Sequence, residues 1–330
     1  MNIAIVGATG NVGRKLIEVL EKKNFPVTEA YLVASPNSAG KKIHFLGKEH
    51  TVINLEEFDF SKVNIAFFAA GSAIAEKWAP IAAEKTIVID NSKFFRKDPE
   101  IPLIVPEVNS KELPKFKNKN IIANANCSVI PIVVALKPLH DLYNVKRIVA
   151  STYQSVSGAG KAGMDELISQ TKEVLENKNV QSKNFTKQIA FNIIPHIDTF
   201  VKDGYTKEEW KMENETKKIL GEDVKVTATC VRVPVKTSHS ESVNIEFEND
   251  FNLDELKNIL SKSPGCKVVD EQIDGGYITP IEAEGDYKTF ISRIRKDNTN
   301  NKAVNLWIVS DNLLKGAALN TVQIAEELVK

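Results

Sequence analysis

The chain opens on a four-residue apolar run, Ile3-Ala4-Ile5-Val6, that passes without a break into Gly7-Ala8-Thr9-Gly10-Asn11-Val12-Gly13. Val12, Leu16, Ile17, Val19 and Leu20 then recur at helical spacing, and a second apolar run occupies residues 30–34. Strand, glycine loop, helix and strand make one βαβ unit, and the crossover forces the two strands to run parallel. Further short apolar runs at residues 64–70, 86–90, 103–105 and 121–123, with helix-like composition at 72–84, extend this alternation over the first 125 residues. They predict an α/β fold whose first part is a doubly wound, Rossmann-type sheet.

The pattern then changes. Residues 127–143 read as one helix, with Pro131 near enough to its start to be tolerated. Residues 147–155 read as a strand and 164–176 as an amphipathic helix, followed by strands at 225–234, 242–248, 289–295 and 306–309. Polar loops separate them, as in a mixed or antiparallel sheet covered on one face by helices. Residues 177–187 and 296–302 read as polar surface loops, and 313–329 as a closing helix. The division expected is a dinucleotide-binding domain of residues 1–126 with 313–330, and an α+β domain of residues 127–312.

Charge and cysteine count narrow the function classes. Lys plus Arg and Asp plus Glu number 43 each, so no global field exists to hold a nucleic acid or an anionic membrane. The longest apolar stretch, residues 129–136, is far too short for a bilayer. Cys127, Cys230 and Cys266 are widely spaced, which argues against a disulfide framework or a thiolate zinc site. No H-x-x-H or H-E-x-x-H spacing offers a metal either. The first residues lack the features of a leader and read as a strand at once, so a cytoplasmic protein is expected.

Two glycine loops compete for a nucleotide. In the first, Gly7, Gly10 and Gly13 let backbone approach a pyrophosphate while helix N–H groups point at it. The second, Gly158-Ala159-Gly160-Lys161-Ala162-Gly163, matches G-x-G-x-x-G letter for letter but is not followed by a second buried strand. It is read as a backbone-exposing loop of the second domain. An NAD site commonly carries a carboxylate after the second strand. Here the chain runs Val33-Ala34-Ser35-Pro36-Asn37-Ser38, with Lys41 and Lys42 following, which favours NADP.

A reactive thiol is the next candidate. Cys127 lies in Asn124-Ala125-Asn126-Cys127-Ser128, between a strand and a helix start, where free N–H groups and the helix dipole favour a thiolate. The competing reading is a buried structural cysteine, kept for Cys230 and Cys266. Of the five histidines, His140 suits the last turn of a helix, and His44 and His50 flank a hairpin-like stretch. His239 falls in a polar loop between two strands, where catalytic groups tend to lie. Arg232, between Val231 and Val233, calls for a carboxylate partner, either from a substrate or from within the protein.

Taken together, these segments resemble aspartate-semialdehyde dehydrogenases from the first glycine loop to Asp311-Asn312-Leu313-Leu314-Lys315-Gly316. Between them lie Asn126-Cys127-Ser128, Gln154-Ser155-Val156-Ser157-Gly158, Glu215-Thr216-Lys217-Lys218 and Cys230-Val231-Arg232-Val233-Pro234. The resemblance implies Cys127 as nucleophile, Gln154 as the side chain holding substrate beside it, and His239 as general acid/base. It implies Arg232 on the substrate carboxylate, Glu215 on its amino group, and Arg96 with Lys218 on phosphate. Gly7, Thr9, Gly10, Asn11, Val12, Gly13, Asn37, Ser38, Ser157, Gly158 and Asn312 would contact NADP. Where many members carry an arginine near the 2′-phosphate, this chain has Pro36-Asn37.

The reaction implied is the reductive dephosphorylation of aspartyl phosphate through a cysteine thioester, serving lysine, threonine, methionine and diaminopimelate synthesis in a cytoplasmic homodimer. Residues 127–312 would then be its catalytic and dimerisation domain. An N-acetylglutamyl phosphate reductase is the chemical rival, but a carboxylate at Glu215 suits a free ammonium and not an acetylated amine. A non-catalytic NADP sensor is a rival from another class. A tyrosine-based reductase needs Tyr-x-x-x-Lys, which the chain lacks.

Overall fold

The computed structural model describes all residues from 1 to 330, and the chain divides into two compact units. The first comprises Met1–Ala125 and Ala317–Lys330, the second Asn126–Gly316.

Strands of the first unit are short and apolar at almost every position because both faces of their sheet are covered. Ile3, Ile5, Ile65, Phe67, Val88 and Ile89 are wholly buried. Seven strands lie in the order Ile53–Asn54, Glu29–Ala34, Asn2–Val6, Ile65–Phe68, Ile87–Asp90, Ile121–Asn124, Leu103–Ile104. All neighbours are parallel. Chain order reverses between Asn2–Val6 and Ile65–Phe68, the switch point at whose carboxyl edge doubly wound sheets bind ligands. The glycine loop leaves from there. The helix Asn11–Lys22 buries Leu16, Ile17, Val19 and Leu20 on its inner stripe.

The closing helix, Leu319–Val329, returns to this unit through a buried amide network. Asn320 donates to Asn124 Oδ1 at 2.6 Å, while Asn124 and Thr321 both donate to Asn91 Oδ1, at 2.9 and 2.7 Å. The helix starts later than the reading of 313–329 because a wider turn, Leu314–Ala318, precedes it.

In the second unit six strands form a mixed sheet, ordered Lys225–Arg232, Val145–Gln154, His239–Phe247, Asn300–Ser310, Thr289–Asp297, Cys266–Val268. Only the first and last pairs are parallel. Alternation sends Ile148, Ala150, Thr152 and Gln154 inward and leaves Arg147 and Tyr153 exposed. The inner face packs on the helix Val129–Tyr143. Pro138 lies inside this helix and has no N–H for the Val134 carbonyl; the Cys266 thiol supplies a donor there instead, at 3.7 Å.

Several local expectations shift. The helix read as 127–143 begins at Val129, with Cys127 in the turn before it. The helix read from 164 starts at Gly160, so four of the six residues of the second glycine motif are helical. Its Gly163 is needed for packing: a Cβ there would sit 2.8 Å from Ala159 Cβ. His239 begins a strand and is not in the loop before it. The polar segment after this helix is tied down by Glu166, which accepts the Lys183 and Asn184 N–H groups at 3.0 and 2.6 Å. A helix at Lys207–Leu220, opened by a reciprocal Thr206–Glu209 capping box, was not legible from the apolar pattern.

Candidate active site

Register brings three of the expected residues level. Gln154 pairs with Arg232 on one side of its strand, and the Tyr153–Ser240 pairing on the other puts Gln154 level with His239. All three point to the inner face at one end of the sheet, and all are buried. Sequence separations of 78 and 85 residues vanish in one row of side chains.

Cys127 is carried to that row by a tight turn. Asn126 Oδ1 accepts the Ser128 N–H at 2.8 Å, and the Asn126 carbonyl accepts those of Val129 and Ile130, both at 3.0 Å. The Asn126 N–H is held by Glu215 at 2.6 Å, and its side-chain amide by Glu208 at 2.9 Å. Gly316 packs directly on the cysteine, since a Cβ there would lie 3.0 Å from Cys127 Cβ. Cys127 Sγ ends 3.4 Å from His239 Nε2. Of the three thiols it alone keeps solvent access. Cys230 is sealed in the core, where burial first of all pushes its thiol far up.

Glu208 is the organising charge, and sequence reasoning missed it. It accepts from Asn126 and from Gln154 Nε2, the latter at 3.1 Å, and pairs with Lys211 at 2.6 Å. Burial opposes its ionisation, but Lys211, Asn126 and Gln154 prevail and hold the carboxyl down at about 2. Because a carboxylate only accepts, it fixes the Gln154 amide with nitrogen inward. Gln154 Nε2 also reaches Ser128 Oγ, which leaves Gln154 Oε1 buried with no partner. The legible signal was the spacing of Glu208, Lys211 and Glu215, which puts three charges on one helical face.

Arg232 has no internal carboxylate partner. Its Nη1 donates to the Ser155 carbonyl at 2.6 Å, and the rest of a guanidinium is left for something else. Gly158 is required beside it, as a Cβ would lie 2.9 Å from Arg232 Nη1 and 3.4 Å from His239 Nε2. Burial drives the His239 imidazole down to about 3, and Arg232 pushes the same way, so the ring is neutral at neutral pH. Lys218 follows Glu215 on the same helix, half-buried. Ser157 and Asn312 lie behind the histidine, where Asn312 Oδ1 accepts from Ser157 at 3.1 Å and from the Ser238 N–H at 2.9 Å.

The remaining expected residues belong to the first unit. Gly7 has φ of +89° and lies so close to the next strand's exit that a Cβ would be 2.6 Å from the Ala69 carbonyl oxygen. At Gly13 a Cβ would come within 2.2 Å of the Gly7 oxygen. This cradle of bare backbone opens the helix holding Asn11, Val12 and Gly13, and it fits a dinucleotide pyrophosphate. Thr9 Oγ1 lies 3.4 Å from Ser38 Oγ, which brings the turn after the second strand, Asn37 included, beside the loop. Lys42 is engaged by Glu49 at 2.5 Å. Arg96 is buried and donates to the Asn91 carbonyl at 3.0 Å. No group of three or more His, Cys, Asp or Glu is arranged to hold a metal ion, and no helix is long and apolar enough to cross a membrane.

Known proteins resemble this chain over its whole length. Residues 2–116 match the family described as semialdehyde dehydrogenase, NAD binding domain, and residues 136–315 its dimerisation domain. Aspartate-semialdehyde dehydrogenase of Rickettsia bellii is 51% identical over 330 residues, 100% of this chain and 98% of that protein. The crystal structure of aspartate semialdehyde dehydrogenase II from Vibrio cholerae complexed with ASA superposes with a TM-score of 0.97 at 48% identity, over 99% of this chain and 98% of that one. That of the Candida albicans enzyme with NADP gives 0.76 at 27% identity, over 99% and 98%. A buried row of Arg232, Gln154 and His239 set against a turn-borne thiol, on a chain matched from end to end by such relatives, leads to one conclusion: the chain belongs to the aspartate-semialdehyde dehydrogenase family.

Proposed function

We propose that the chain catalyses the NADPH-dependent reductive dephosphorylation of L-aspartyl 4-phosphate to L-aspartate 4-semialdehyde through a thioester on Cys127. The observation that carries this reading is the 3.4 Å approach of Cys127 Sγ to His239 Nε2 beside a buried arginine without a carboxylate. Arg232 takes the substrate carboxylate as a planar fork. Glu215 and the unpartnered Gln154 Oε1 suit its ammonium group, and Arg96 and Lys218 neutralise the phosphate. The sulfur attacks the acyl carbon and phosphate departs with its bonding pair, leaving the thioester. A reduced dinucleotide, when held there, would supply the hydride that this carbon needs. His239 serves the sulfur and the carbonyl oxygen as their acid–base partner, and collapse of the adduct frees the aldehyde and the thiolate.

The dinucleotide is held by Gly7, Thr9, Gly10, Asn11, Val12 and Gly13, with Asn37 and Ser38 at its adenosine ribose and Ser157, Gly158 and Asn312 as further contacts. NADP is preferred because no carboxylate follows Ala34 to repel a 2′-phosphate. A cytoplasmic homodimer, feeding lysine, threonine, methionine and diaminopimelate synthesis, completes the reading. The exposed sheet face with Tyr153 and Trp307, their rings 5.5 Å apart, supports a dimer contact.

The test is NADPH formation from aspartate semialdehyde and phosphate. It should proceed with the native chain, fail with Cys127→Ala, survive Cys230→Ser, and run with higher kcat/KM on NADP than on NAD. Full turnover by Cys127→Ala would refute the thioester, and equal use of NAD the cofactor assignment.

A further inference from the structure

We propose that Arg14, in the first turn of the helix Asn11–Lys22, is the cation that binds the adenosine 2′-phosphate of the dinucleotide and so sets the choice of NADP over NAD. The inference rests on the NADP reading above and names the residue that enforces it.

A missing carboxylate removes a repulsion but attracts nothing; a phosphate dianion calls for a cation. The turn after the second strand, Ser35-Pro36-Asn37-Ser38, carries no charge. Lys42 beyond it is held by Glu49 within its hairpin. Lys41 stands at the foot of that hairpin, its backbone tied to Val52.

Arg14 comes from the other side. Its side chain folds back over the glycine loop, where Nε donates to the Thr9 carbonyl at 3.2 Å. Thr9 in turn meets Ser38, their hydroxyls 3.4 Å apart. The loop is also pinned to the end of the second strand, since the Gly7 and Ala8 N–H groups both donate to the Val33 carbonyl, at 2.8 and 3.2 Å. Arg14, Thr9 and Ser38 therefore link the helix to the turn proposed for the adenosine ribose. Anchored by Thr9, the arginine is set in place before a ligand arrives.

The guanidinium is otherwise uncommitted. Only Nε is used, and the exposed terminal nitrogens keep the fork that matches a phosphate. Glu18, four residues along and the natural partner at that spacing, is taken by Lys15 at 2.7 Å. Nor does the helix gain from this cation. Its first turn contains no acid, and a positive charge at a helix N-terminus opposes the dipole. A phosphate at this end is favoured by the dipole and by Arg14 alike.

The test is calorimetric binding to the full chain, with two ligand pairs that differ only in the phosphate: NADP against NAD, and adenosine 2′,5′-bisphosphate against AMP. The native chain should bind the 2′-phosphorylated member of each pair more tightly. Arg14→Gln should lose about ten- to a hundredfold of that affinity and leave NAD and AMP binding unchanged. Arg14→Lys should recover part of the loss, while Lys41→Gln and Lys42→Gln should be nearly neutral. The urea midpoint of Arg14→Gln should not fall, because a cation is being taken from a helix N-terminus. A preference for the 2′-phosphate that survives in Arg14→Gln, an equal loss for both members of a pair, or a larger loss in Lys41→Gln would overturn the proposal and leave the NADP reading standing. Equal native affinities within each pair would refute the NADP reading itself, and the proposal with it.

Discussion

Glu208 and Lys211, one turn apart on the same helix, form a 2.6 Å ion pair with both side chains almost sealed from water. Lys211 also reaches Asp198 at 3.2 Å, and Glu208 holds Asn126 and Gln154. The pair therefore supports the turn that presents Cys127. Breaking one side of such a pair leaves a buried charge alone. Lys211→Met is expected to lower stability by about 3–5 kcal/mol. Adding Glu208→Gln to that variant should restore much of the loss, as read from urea unfolding of both.

At Arg232 the geometry of the fork matters more than the charge. Arg232→Lys keeps the cation but gives up planar, two-point recognition of a carboxylate. Binding should weaken by about 1–3 kcal/mol, seen as a higher KM for aspartate semialdehyde with a smaller change in kcat. Native KM in this variant would remove Arg232 from the carboxylate.

Acid should destabilise the second unit through its buried histidine. His239 is near 3 when folded and about 6.5 when unfolded, so the unfolded chain binds the extra proton between these values. The stability cost is absent above pH 6.5 and grows as pH falls toward 3. At pH 5 it amounts to about 2 kcal/mol. Glu208, held low, adds its own loss below pH 4.5. In His239→Gln the decline between pH 6.5 and 4.5 should flatten, measured by denaturant midpoints across that range.

The glycine loop offers a steric test. Gly13→Ala puts a methyl 2.2 Å from the Gly7 oxygen, which backbone must move to accommodate. Dinucleotide affinity should fall at least tenfold, equivalent to about 1.4 kcal/mol, measured by fluorescence titration with NADPH. Gly10→Ala, whose Cβ would meet the same oxygen at 3.4 Å, should be far milder.

What could be read from the chain as a string was whatever depends on near neighbours. Ile3–Val6 followed by three spaced glycines already dictates a βαβ turn, because parallel strands need a crossover and that crossover needs bare backbone to close it. Cys127 between a strand and an apolar helix was legible for the same reason, although the Asx turn at Asn126 moved the helix start to Val129. The helix carrying Glu208, Lys211 and Glu215 was not, since its buried stripe is largely charged and hides from any hydrophobic period.

The chain alone thus determined the candidate nucleotide loop, the candidate thiol and the mixed character of the second sheet, all consequences of local sterics and short-range periodicity. Only the tertiary structure decided that Arg232 has no internal carboxylate partner, that Glu208 is ionised in the interior, and which nitrogen of His239 faces the sulfur. Those depend on strand register between segments some 80 residues apart, where one slipped residue would turn each side chain to the opposite face.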